Sequence, residues 1–128
     1  MNKTAFTAAM ALALGLSVYA VTTDAHGGNV PEHGGVLKMV ADTSVELVTR
    51  PASVEVWVED GGEEIASSGM TCKLTIVQGG ATTTAELLPA GGNEFEAKGL
   101  KIGHGAKVTV VVAAKEGHAK TAADFTVK

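Results

Sequence analysis

The chain has 128 residues, one cysteine, 14 acidic and 10 basic residues, enough for one small domain. A net charge of −4 argues against binding nucleic acid or an anionic membrane surface, which need clustered cations. With a single cysteine there is no intrachain disulfide framework, so a packed core must supply the stability.

Residues 1–20 read as a secretory signal peptide. Lys3 is the basic n-region, residues 6–18 are the apolar run, and Val18-Tyr19-Ala20 fits a peptidase site. The run is too short and too rich in alanine for a permanent membrane span. Thr23-Asp24-Ala25 is an alternative end that would make His26 the first residue, but Asp24 disfavours it. No cysteine directly follows the run, so no lipid anchor is expected, and the location implied is periplasmic or secreted. Loss of Lys3 leaves nine basic against 14 acidic residues, a charge of −5. Residues 21–35 then form a His/Gly-rich leader. In it His26-Gly27-Gly28 is repeated seven residues on as His33-Gly34-Gly35, with Pro31 and Glu32 between the copies.

From residue 36 onward apolar residues alternate at a period near two, broken by glycine-rich turns. The predicted strands are 36–41, 45–49, 53–59, 70–77, 82–88, 94–98, 107–114 and 121–127, with a short edge segment beginning at Ile65. The clearest is 53–59, where Val54, Val56 and Val58 face one way and Glu55, Trp57 and Glu59 the other. No stretch has a helical period. The expectation for 36–128 is an all-β domain, an immunoglobulin-like or Greek-key β-sandwich of seven or eight short antiparallel strands. Its core is expected from valine, leucine, isoleucine and alanine, including Met39, with Trp57 on the outside. The outward carboxylates Glu55, Glu59, Glu94 and Glu96 are expected to be solvated.

Potential soft ligands are few. All four histidines adjoin glycine in loops, where the backbone can bend to bring a ring onto a metal. Imidazole suits copper, zinc or nickel. If every connection reverses direction, the segment before Val36, the Pro51 turn, Gly79-Gly80 and the His104 loop share one end. The 60–69 loop, the Pro89 turn and the His118 hairpin then share the other. His26 and His33 can thus converge with His104, and His118 is remote. Met70 and Cys72 lie in phase with Leu74 and Ile76, which favours a buried, inert thiol over a Cu(I) site. No catalytic triad spacing or phosphate-binding glycine loop is present, so the chain is not expected to be an enzyme. The exception is cleavage after Ala25, where the amine and ring of His26 would chelate Cu(II) together, as in copper oxidases.

Pro31-Glu32-His33-Gly34-Gly35 running into residues 36–40, then Val45-Glu46-Leu47-Val48, then 54–58 with Asp60-Gly61-Gly62, resembles small periplasmic proteins associated with copper and other heavy-metal efflux. It is also similar to the His-Gly-Gly-bearing domain of some adaptor subunits of metal-exporting pumps. The function expected is a transition-metal binding protein that buffers metal or delivers it to an envelope efflux complex. Copper is the expected ion, with zinc second. The expected ligands are His26, His33 and His104, with Glu32 as an oxygen ligand or a partner of a ligand. The rival expectation is an envelope interaction module that works through a strand edge or the Trp57 face, with no metal role.

Overall fold

The structure, a computed structural model, describes residues 30–128. The stretch expected to be a signal peptide, most of the expected leader and His26 lie outside the described residues.

Nine strands follow in order: β1 (Val36–Val40), β2 (Thr43–Arg50), β3 (Ser53–Asp60), β4 (Glu63–Glu64), β5 (Met70–Gln78), β6 (Ala81–Pro89), β7 (Glu94–Lys98), β8 (Lys107–Ala114) and β9 (Lys120–Thr126). All pairings are antiparallel, in the order β1-β2-β3-β7-β6-β5-β8-β9, with the two-residue β4 on β3. The first layer is β1, β2, β3, β4 and β7, and the second is β6, β5, β8 and β9. The layers are joined where Leu88 and Pro89 of β6 pair with Glu96 and Phe95 of β7. At the far side β1 and β9 approach each other without pairing, so the sandwich is nearly a closed barrel. The all-β architecture expected from the alternation is what forms. The edge segment expected to begin at Ile65 does not form there; the two-residue β4 lies just before it, at Glu63–Glu64.

Period-two alternation decides which side chains meet between the layers. Val45, Leu47, Val54, Val56, Val58 and Phe95 from the first layer pack on Cys72, Leu74, Leu87, Val108, Val110 and Phe125 from the second. Each valine or leucine so buried contributes about 1.5–3 kcal/mol. Cys72 is completely buried and unpaired, and burial pushes its thiol up to about 12. It is a small core residue, and Met70 packs half-buried beside the same core. Met39 departs from expectation. It pairs with Ser44 on the outer face of the edge strand β1 and is 44% exposed, because the inward phase of β1 belongs to Val36, Lys38 and Val40.

The ends sort as alternating connections require. Gly99 N–H donates to Ala52 O, Gly103 N–H to Gln78 Oε1, and Gly105 N–H to Val127 O. These bonds gather the Pro51 turn, the Gly79-Gly80 hairpin and the His104 loop at one end. At the other, Ser67 N–H donates to Gly92 O and Lys115 N–H to Gly69 O. His118 therefore stands at the end away from His104.

Candidate metal-binding site on the outer face of the first layer

Outward positions of the first layer are read from the strand register. Glu46 of β2 lies between Leu37 of β1 and Trp57 of β3, and Trp57 lies between Glu46 and Glu94 of β7. One row down, Val48, Glu55 and Glu96 are aligned. Residues 30–35 fold back over this face before β1 begins. Two glycines make that possible. Gly34 has φ +83°, a left-handed conformation that only glycine adopts without cost. Gly35 lies so close to β2 that a β-carbon would collide with the Leu47 carbonyl.

The close approach puts a line of donors onto one buried carboxylate. Glu46, 3% exposed, accepts from Glu32 N–H at 3.1 Å, His33 N–H at 2.9 Å and Gly35 N–H at 3.0 Å. Its Oε2 also lies 2.8 Å from His33 Nδ1. Burial alone would raise the Glu46 pKa. The bonds from Gly35, the His33 ring and the His33 and Glu32 amides outweigh it, so the pKa is lowered and the group is an anion at neutral pH. The His33 ring then stacks flat on Trp57, with centroids 3.7 Å apart and planes 4° from parallel. Trp57 is half-buried under it, as its place on the outward phase foretold. A shallow hollow beside the stack is lined by Val30, Glu32, His33, Leu37, Ser44, Glu46, Trp57 and Glu59.

Further carboxylates crowd the same face. Arg50 holds Glu55 through two bonds of 2.8 and 3.2 Å and keeps its pKa low against the effect of burial. Glu59 is pushed up by burial and by the charges of Glu32 and Glu64, and Glu94 by burial and by Glu55 and Glu96. These outward carboxylates are therefore not the solvated row expected. Glu55 is buried beside the Arg50 guanidinium that holds it, and Glu59, Glu94 and Glu96 are half-buried. The Trp57 indole N–H is buried and helps lower Glu55, although its geometry falls short of a hydrogen bond.

Of the expected ligands, His33 and Glu32 are brought to this face. His104 is exposed in its loop at the end of the sandwich. Among the described residues, one group of three or more such side chains has its ligand atoms within 4.8 Å of one another, namely Glu55, Glu94 and Glu96; it contains neither histidine. Glu46 was missed from the sequence. The available signal was Val48, an apolar residue on the outward phase of the same strand, which implies that something covers that face.

The chemistry open to the site follows from one bond. With Nδ1 committed to Glu46, His33 has Nε2 as its remaining ligand atom, and the carboxylate fixes the orientation of the ring. The face around it is rich in negative charge. Comparison with protein families, curated proteins and solved structures finds no match for this chain.

Proposed function

We propose that the protein is a periplasmic transition-metal binding protein, with copper as its ion, that buffers the metal or passes it to an export system. The observation that carries this is the Glu46–His33 pair. Carboxylate to Nδ1, with Nε2 left over, is the arrangement that orients metal-ligating imidazoles. His33 is the primary ligand in this proposal, completed by Glu32 and by His26 from the leader. His104, tied through its loop to Gln78 and Val127, is the secondary candidate. The surrounding carboxylates supply cation attraction, since the strands of the first layer carry eight acidic and three basic residues.

Trp57 is the only tryptophan and touches the His33 ring, so it reports directly on the site. Titration with Cu(II) is expected to quench its emission, and Cu(I) and Zn(II) binding are followed in parallel by dialysis. His33→Ala should lose binding, His26→Ala should weaken it, and His104→Ala should weaken it less. Glu46→Gln should lower affinity about ten- to a hundredfold through misorientation of the ring. Equal, weak binding by the wild type and by His33→Ala would sink the proposal.

A further inference from the structure

Among the described residues, strand pairing joins the two layers only through Leu88 and Pro89, the last two residues of β6. Residues 81–87 pair with β5 on one side, and among the described residues their backbone makes no hydrogen bond on the other. The chain edges β1 and β9 shield one another by facing across their gap, so β6 is the long open edge of the sandwich. It reads Ala81-Thr82-Thr83-Thr84-Ala85-Glu86-Leu87. Glu86 is its single charge, the run has no proline, lysine or bulge to blunt it further, and its threonines favour pleated structure. Ala81 to Thr84 are all exposed.

We propose that this edge pairs with the same edge of a second copy, joining two sandwiches through an antiparallel β6–β6 contact about a two-fold axis. Residues 88 and 89 are already taken by β7, so the free run is 81–87 and its midpoint is Thr84. In that register Thr84 faces Thr84 of the partner subunit, and Thr82 faces the partner's Glu86. The only charge in the run, Glu86, thus meets a hydroxyl. The two Glu86 side chains stand four residues apart, about 13 Å, beyond the screening length of about 8 Å at physiological salt. A shift of two residues toward the C-terminus would oppose the two glutamates, so charge selects the Thr84 register. A self-complementary strand of this kind fits a second copy better than an unrelated peptide, because a two-fold closes the contact.

Sedimentation velocity of the wild type is expected to show a monomer–dimer equilibrium in the micromolar range. Thr84→Lys places like charges on the axis and should leave a monomer with unchanged circular dichroism and melting temperature, since that side chain is exposed. Mild oxidation of Thr84→Cys should give a covalent dimer, because directly opposed residues fall within disulfide reach, and the buried Cys72 should not compete. Thr82→Cys should not cross-link, each copy being about 13 Å from its mate. A wild type that stays monomeric at high micromolar concentration leaves the edge to other partners and overturns the proposal. So does a dimer that survives Thr84→Lys, or one that cross-links through position 82.

Discussion

Glu46 is where residues 32–35 become part of the fold. Its carboxylate satisfies three backbone donors and one ring nitrogen of residues 32–35, so the docked segment depends on a single side chain. Glu46→Ala would leave those groups without an acceptor and release the segment, at a cost of about 1–3 kcal/mol. The core beneath, built from the inward phase of the same strands, is untouched. The expected outcome is therefore local. Trp57 emission shifts to the red as the His33 ring lifts, and amide protection of residues 32, 33 and 35 is lost while that of β3 and β8 is kept. Unchanged protection in the variant would mean that the bonds to Glu46 do not hold the segment. None of these bonds was legible in the sequence, because they join positions 11 to 14 residues apart. Periodicity records which face a residue takes, not what lies over that face. The motif itself was legible, and its two glycines now have distinct reasons, a left-handed turn at Gly34 and a close approach at Gly35.

At the scale of the strands, alternation was a good guide wherever one face is apolar and the other polar, as in β3. It failed in β1, where Leu37 and Met39 set an apolar phase that faces outward. A five-residue edge strand has too few neighbours for its apolar side chains to dictate which face is buried. The pairing of β3 with β7 carries a conflict that no alternation reveals, since Glu55 and Glu96 are directly opposed and Glu94 stands beside them. Arg50 compensates Glu55, while Glu96 has Lys98 no nearer than 3.9 Å. Like charges across a strand pair destabilise, and the pKa of Glu94 is raised first by burial and then by the charges of Glu55 and Glu96. Glu94→Gln keeps the shape and removes one charge, so it is expected to stabilise the domain by about 0.5–1 kcal/mol. Thermal unfolding should then occur a few degrees higher, and a lower melting temperature would show that Glu94 has an attractive partner instead.

Over the whole molecule the charge is unevenly divided. The strands of the first layer carry eight carboxylates and three basic residues, whereas those of the second carry two and three. The acidic layer holds two kinds of carboxylate with opposite linkage to folding. Glu59 and Glu94 bind protons more readily when folded, because burial and neighbouring carboxylates disfavour their charged forms. As pH falls from neutrality through their raised values, the folded state takes up more protons than the unfolded one and becomes more stable. Glu46 and Glu55 behave in the opposite sense. Burial opposes their ionised forms, but hydrogen bonds from Gly35 and His33 to Glu46 and from Arg50 to Glu55 leave both pKa values lowered. Their contribution is complete above the ordinary carboxylate value of 4.5 and is lost as pH falls through their lower folded values. Stability should therefore peak on the acid side of neutrality, above that ordinary value, and drop steeply below it. Urea midpoints measured from pH 8 to pH 3 check this, and high salt should flatten the rise between neutral and mildly acid pH, because it screens repulsion among half-buried groups. In Glu59→Gln/Glu94→Gln the rise should vanish and the acid limb remain. A wild-type midpoint that falls steadily from pH 7 downward would show that repulsion in this layer is too weak to shape the fold. A flat acid limb would show instead that the Glu46 and Glu55 bonds contribute little to holding it.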